Sequence, residues 1–377
     1  MKHIGTSIDG PRIEPEGLFI RDMNLNDLIG TVSFVSAVYH ILNGRLPSQQ
    51  EEEALDRYLV YCVRDVGLSP HAADVVHVTH LSGAGVSRIL AAAFMPDATE
   101  QLEKARDFGR SMFPLNDDLL VALYYLAVSP LIVALSSRRG GEELALSSGG
   151  QGIRYVHLFY QCFSDKAVIG CYDFKLLNAV LVAQHGGFGY LTPTVLLPRV
   201  AISTHVSIPQ AMAAQFLGAG PAHVGAIEGA MNLLMSMAED CQNLDVAADR
   251  LITEYRSTRR RLPGFGHPLF ERDPRVSRLR ALLVDYQVGS KYLDCFDELI
   301  EAVKDRLGVW PNIDGIAAAI LLTLGVPPDD GTGVFLCARL AATIAHIMEK
   351  KSEPAFGQHR AEARRSVERS LREYGLA

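Results

Sequence analysis

Almost no stretch of this chain alternates apolar and polar side chains with a period of two, whereas apolar residues recur at helical spacing along most of its length. A half-buried strand needs that alternation, because successive side chains point to opposite faces of a sheet. Its scarcity restricts the chain to an all-α class with many buried helices and little sheet. Local start and stop signals agree. Ser33 can cap a helix over 33–42, with Phe34, Ala37, Val38 and Ile41 on one face and Asn43-Gly44 ending it. Ser48-Gln-Gln-Glu51 is a capping box for a helix to about Val66. Ser69-Pro70 opens another segment, and helices are expected over 86–95, 98–111, 117–136, 152–163, 174–184, 208–217 and 223–238. One or two polar helices should fill 239–262, followed by helices over 274–287, 290–306, 317–324, 332–350 and 359–373. Residues 1–20, rich in Gly and Pro, read as extended or irregular, and 138–151 as a polar connection.

Size and composition fit such a fold. A chain of 377 residues, 48% apolar and 21% charged, can bury a substantial core in two domains and reads as a soluble globular enzyme. A net charge of −7 argues against a general nucleic-acid binder, although a local basic pocket remains compatible with it. The most membrane-like run, 119–135, is short for a span and contains Ser129-Pro130, so it reads as a buried helix and no membrane partner is expected. Residues 1–7 have no apolar signal core. The six cysteines, Cys62, Cys162, Cys171, Cys241, Cys295 and Cys337, are scattered without a Cys-x-x-Cys pair. That fits free thiols in a reducing compartment and a cytoplasmic location. There is no Cys/His zinc pattern, and no metal is expected.

Chemistry concentrates in 261–275, Arg-Leu-Pro-Gly-Phe-Gly-His-Pro-Leu-Phe-Glu-Arg-Asp-Pro-Arg. Pro263, Gly264 and Gly266 prevent regular structure before His267, and glycines let a backbone approach a ligand closely. Asp273 and Pro274 start a new helix that holds Arg275. A histidine and an arginine held together suit an anionic substrate with a carbonyl to polarise. The bland alternative is a helix connection with incidental polar residues. His223 follows Gly218-Ala-Gly-Pro-Ala, with Ala222 or His223 expected at the start of the next helix. There the helix dipole would favour a neutral imidazole. His185 stands in Gln184-His-Gly-Gly-Phe-Gly-Tyr190, which also reads as a helix end followed by a glycine turn. Asp314, in Trp310-Pro-Asn-Ile-Asp314, also reads as a plain helix N-cap. Arg256, Arg259, Arg260 and Arg261 form a basic cluster, open to cofactor phosphates but more simply a solvated face. Arg360, Arg364, Arg365, Arg369 and Arg372 read as a solvated amphipathic helix.

Three of these pieces occur in order: Gly220-Pro-Ala-His-Val-Gly-Ala-Ile-Glu228, the Pro-Gly-Phe-Gly-His turn running into Asp-Pro-Arg, and Pro311-Asn-Ile-Asp314. Together they resemble the motif set of the citrate synthase family. The segment 33–47 is similar to an N-terminal helix of that family. The resemblance covers most of the chain and is most specific from 218 to 346. It implies condensation of acetyl-CoA, or a related acyl-CoA, with oxaloacetate or another 2-oxo acid. Asp314 would be the base, His223 the donor to the thioester carbonyl and His267 the donor to the keto oxygen. Arg275 and Arg339 would hold carboxylates, and His185 would add a hydrogen bond to the same substrate. The backbone of Leu262, Pro263, Gly264, Phe265 and Gly266 would lie against the adenine of coenzyme A. Coenzyme A enters as a thioester co-substrate, with no bound cofactor. The resemblance also implies a large helical domain (1–222 and 326–377), a small inserted one (223–325), a cleft that closes between them, and a homodimer.

The chain departs from the family pattern in several places. The spacing from His267 to Arg275 is one residue shorter, and the Gly-Gly after the first histidine is Val224-Gly225. Gly315-Ile316 replaces an aromatic pair, and Ala342-Thr343 replaces Gly-Trp. The residues after His185 are unusually rich in glycine. The C-terminal Arg-Pro motif, which carries an arginine across the dimer, is not evident around Gln358-His359-Arg360, where Arg360 is the nearest substitute. These changes leave the reaction class better defined than the keto acid. They keep two alternatives in view: a lyase cleaving citryl-CoA on the same scaffold, and a non-catalytic acyl-CoA or dicarboxylate sensor. A sensor has no need of the base Asp314.

Overall fold

The structure is a computed structural model. It describes residues 3, 5–14, 16–82, 85–95, 99–114, 116–137, 152–221, 223–239, 244–258, 261–354 and 360–373, except the side chains of 79–82, 360–363 and 366. The connection at 138–151, Arg259, Arg260, Ala222 and the side chain of Arg360 therefore lie outside the described residues.

The first twenty residues are more regular than their composition suggests. They form antiparallel strands β1 (Asp9–Ile13) and β2 (Glu16–Ile20), joined by β3 (Met23–Asn24). Asp9 pairs with Ile20 and Pro11 with Leu18. Pro11 hid this hairpin from a composition reading, and an edge strand tolerates a proline. Helices follow: α1 (Leu25–Leu28), α2 (Phe34–Asn43), α3 (Gln49–Tyr61), α4 (Pro70–Ser82), α5 (Val86–Ala93), α6 (Glu100–Met112), α7 (Asp117–Ser136), α8 (Tyr155–Phe163), α9 (Asp173–Gln184), α10 (Pro193–Ile202), α11 (Ile208–Leu217), α12 (Ala226–Glu239), α13 (Leu244–Ser257), α14 (Pro274–Asp285), α15 (Lys291–Leu307), α16 (Ile313–Thr323), α17 (Pro328–Lys351) and α18 (Arg360–Glu373).

The caps behave as the sequence predicts. Ser33 accepts from Ser36 N–H, Gly44 ends α2 in the left-handed conformation, and the Ser48–Glu51 box opens α3. A π-helical turn, Cys62–Val66, completes α3.

The centre is α17, which packs against α2, α5, α7, α9, α10, α11 and α12. Both α7 and α17 are long and apolar enough to cross a membrane, yet both lie mostly buried within the protein. A helix apolar over most of its surface suits a core, where each fully buried Leu, Ile or Val side chain stabilises by about 1.5–3 kcal/mol. Pro130 inside α7 frees the carbonyl of Leu126, which accepts the hydroxyls of Ser129 and Tyr155 at 2.9 and 3.1 Å.

One helix, α10, escapes sequence reading because Pro193 and Pro198 argue against it. Pro193 sits in the first turn, where no donor is lost. Pro198 leaves the carbonyl of Thr194 unpaired, and Thr343 Oγ1 donates to it at 3.4 Å.

Candidate active site

The turn before His267 is built by glycine. Gly264 and Gly266 have φ of +82° and +80°, conformations an L side chain rarely adopts. A Cβ on Gly264 would lie 2.7 Å from Gly315 Cα, so the turn sits directly on the start of α16. Asn312 N–H donates to Gly264 O (2.9 Å), Gly266 N–H to Trp310 O (2.8 Å), and Asn312 Nδ2 to Gly266 O (2.7 Å). Leu262 is buried, and Pro263 lies against Gly229 of α12.

Asp314 is not the helix cap its position suggests. Asn312 caps α16, accepting from the N–H groups of Asp314 and Gly315. The Asp314 carboxylate is thereby left for another purpose: its Oδ1 is buried and makes no hydrogen bond within the protein. Burial raises its pKa to about 6, with Asp273 adding and Arg275 and Arg339 opposing. A carboxylate held near neutrality without a partner has the properties of a general base.

The three histidines are all neutral near pH 7, each with a pKa lowered to about 4, chiefly by burial. His223 does not begin a helix. It sits in a tight loop with paired backbone bonds to Gly220, three residues before α12, so burial and not the helix dipole keeps it neutral. The next residue, Val224, is strained at φ +67°. The Nε2 of His223 faces Thr194 Oγ1 at 3.2 Å. The Nδ1 of His267 accepts from Phe270 N–H at 2.9 Å and Leu269 N–H at 3.3 Å. The proton must then sit on Nε2, which is buried without a protein partner. His185 has the opposite tautomer: its Nδ1 lies 2.6 Å from Val182 O and must donate, leaving Nε2 bare and unpartnered.

Arg275 is gripped by Asp273 through Nε (2.9 Å) and Nη2 (2.7 Å), and reaches Ala183 O at 3.4 Å. The same Asp273 accepts from Ile313 N–H at 2.9 Å, so one carboxylate fixes both Arg275 and the start of α16. Arg339, inside α17, donates Nε to Gln184 O at 2.8 Å. Burial first, then repulsion from Arg275, lowers its pKa to about 10, leaving it charged at neutral pH.

All six candidate side chains converge. Asp314 and Arg339 each feel Arg275, His223 and His185 feel Arg339, and His267 feels Arg275. Sequence reading missed Thr194, which faces His223, and Asp273 as the clamp on Arg275. Thr194 carried no signal, because α10 was unseen. Asp273 stood in view as a cap.

A carboxylate with a raised pKa, neutral imidazoles and two guanidiniums are the groups that proton abstraction beside a carbonyl and binding of an anion require. The fold is all-α, and a family match places the chain in a class of acyltransferases. A sequence model described as "Citrate synthase, C-terminal domain" matches residues 3–359, and the chain belongs to the citrate synthase family. It is 25% identical to 2-methylcitrate synthase 1 of Corynebacterium glutamicum, covering 92% of this chain and 88% of that one. It is 24% identical to citrate synthase 2 of Bacillus subtilis, over 87% and 84%. The fold matches the crystal structure of citrate synthase from Pyrobaculum aerophilum with a TM-score of 0.72, at 20% identity over 95% and 89% of the two chains.

Proposed function

We propose that this enzyme condenses acetyl-CoA, or a short relative such as propionyl-CoA, with oxaloacetate or a closely related 2-oxo acid, then hydrolyses the thioester. The observation that carries this reading is Asp314, whose Oδ1 is buried with no partner in the protein and whose pKa burial raises to about 6 against the pull of Arg275 and Arg339. Asp314 takes a proton from the carbon beside the thioester. With Thr194 donating to its Nε2, His223 keeps a proton on Nδ1 for the thioester oxygen. The enolate carbon attacks the keto carbon, and His267 donates an Nε2–H hydrogen bond to the keto oxygen as negative charge develops on it. Arg275 and Arg339 hold carboxylate, and His185 presents Nε2 to the same substrate. In the neutral form Nε2 is bare, and the 2-oxo acid offers it no donor. Facing a carboxylate, His185 donates after taking up a proton. The Leu262–Gly266 backbone receives the adenine of coenzyme A, which enters as a thioester, with no bound cofactor.

His185 and Arg339 come from the 1–222 and 326–377 part, and the remaining four residues from 223–325. We assign these parts as large and small domains, with closure of the cleft excluding water. We also assign a homodimer. The packed pair α10 and α11 leaves Leu196, Leu197, Val200 and Leu217 exposed, at 44%, 37%, 55% and 71%.

The test is release of free thiol from acetyl-CoA or propionyl-CoA with oxaloacetate, pyruvate, 2-oxoglutarate or glyoxylate. Release with one acceptor supports the reading and names the keto acid. Silence across the panel, with cleavage of citryl-CoA instead, would replace it by a lyase.

A further inference from the structure

Asp9 opens β1, far in sequence from every candidate residue, yet it is 1% exposed and bonded beneath them. Its Oδ2 accepts from Gly187 N–H at 2.5 Å, and its Oδ1 accepts from His346 Nε2 at 2.6 Å. The other nitrogen of His346 faces Arg199 Nη1 at 2.9 Å, so Nδ1 accepts and Nε2 carries the proton given to Asp9. Arg199 also donates to Glu349 at 2.6 Å, and Glu349 accepts from Thr6 Oγ1, Ser7 N–H and Ser7 Oγ, each at 2.7 Å. Residues 6–9 are thus strapped to α17 at two successive turns.

The strap explains the glycines after His185. A Cβ on Gly186 would lie 2.9 Å from Ile20 Cδ1 and 3.0 Å from Asp9 Oδ2. On Gly187, at φ +109°, it would lie 3.0 Å from Leu18 Cβ. On Gly189, at φ +58°, it would lie 2.9 Å from Asp9 O. The β1–β2 hairpin presses on the turn that follows His185, and glycine is favoured there, most strongly at Gly187 and Gly189, where φ is positive. Asp9 also attracts both Arg339 and His185 electrostatically.

We propose that Asp9 is a positioning residue for the 2-oxo acid half of the site: it anchors the turn carrying His185 and supplies the buried counter-charge to Arg339. The proposal rests on the function assigned above. Asp9→Asn keeps one acceptor, for Gly187 N–H, removes the charge and turns its amide NH2 toward His346 Nε2–H, whereas Asp9→Ala removes the charge and both acceptors. Two readouts separate the possibilities. One is the split between KM for oxaloacetate and KM for acetyl-CoA. The other is the ring-nitrogen NMR signal of His185 without substrates, assigned with His185→Gln.

Asp9→Ala should displace the His185 signal and raise KM for oxaloacetate roughly 10- to 100-fold, leaving KM for acetyl-CoA unchanged. Asp9→Asn should retain the signal and bind oxaloacetate more tightly than wild type, because Arg339 is less neutralised. Gly187→Ala should behave as Asp9→Ala, and keeps the anchor testable if that variant does not fold. An unmoved His185 signal and unchanged KM for oxaloacetate in the folded variants would overturn the proposal and reduce the network to a structural one. If the wild type turns over no substrate pair, the assigned function fails by itself, while the His185 signal still decides whether Asp9 holds the turn.

Discussion

Asp314 carries a cost that its role requires. Its pKa of about 6 lies above the ordinary 3.8, so the folded state binds the proton more tightly than the unfolded chain does. Above pH 6 the carboxylate is ionised in both states, and the folded state bears a penalty of roughly 3 kcal/mol. The penalty fades as pH falls through 6 towards 3.8. Asp314→Asn should therefore raise the melting temperature at pH 8 and leave it almost unchanged at pH 4, measured by calorimetry. Activity runs the other way. Because kcat/KM reports the free enzyme, it should fall about tenfold per pH unit below about pH 6. A thiol-release pH profile with no acid limb there would count against Asp314 as base. Asp314→Ala should cost about 10²–10⁴ in turnover with coenzyme A binding retained. Arg339→Leu removes a buried guanidinium that Gln184 O holds, and should weaken oxaloacetate binding by about 2–5 kcal/mol in titration calorimetry.

At the level of elements, α17 is a spine whose single polar stripe organises the site. Residues 339, 343, 346 and 349 lie at spacings of four and three, and so share a face. Arg339 holds the end of α9. Thr343 bonds Gln215 of α11 and the carbonyl that Pro198 frees in α10. His346 and Glu349 hold the N-terminal strap. One buried helix thus fixes α9, α10, α11 and the N-terminal strap relative to one another. The 262–266 turn does the same for α16. Gly264→Ala forces a Cβ against Gly315 in a left-handed conformation and should displace the start of α16, and Asp314 with it. The expected outcome is a loss of kcat and of thermal stability together, of at least about 1 kcal/mol in stability by chemical denaturation.

For the whole molecule, α10 ties the site to the exposed apolar face. Its inner side carries Thr194 against His223 and Arg199 against Glu349, while its outer side presents Leu196, Leu197 and Val200. If a second copy covers that face, its loss should be felt in the site. Val200→Glu should shift the protein from dimer to monomer in sedimentation velocity and lower activity in parallel. A monomeric variant with full activity would separate assembly from catalysis.

Much of this protein was legible in the sequence because the relevant rules are local. Capping boxes, helical apolar periodicity and the scarcity of two-residue alternation determine the helices and the all-α class. Three ordered motifs name His223, His267, Arg275 and Asp314, four of the six candidate side chains, since each lies on or just after a turn defined by its own Gly, Pro and Asn residues. What the sequence left open depends on partners distant in the chain. Helix α10 continues through Pro198 in its tertiary setting, where Thr343 Oγ1, from α17, lies 3.4 Å from the freed carbonyl. Asp314 is a free carboxylate, not a cap, because Asn312 takes the capping bonds and Asp273 holds Ile313 in place. The neutrality of the histidines, the raised pKa of Asp314 and the place of Asp9 beneath the site follow from burial and from charges brought together by packing, which only the tertiary structure could decide.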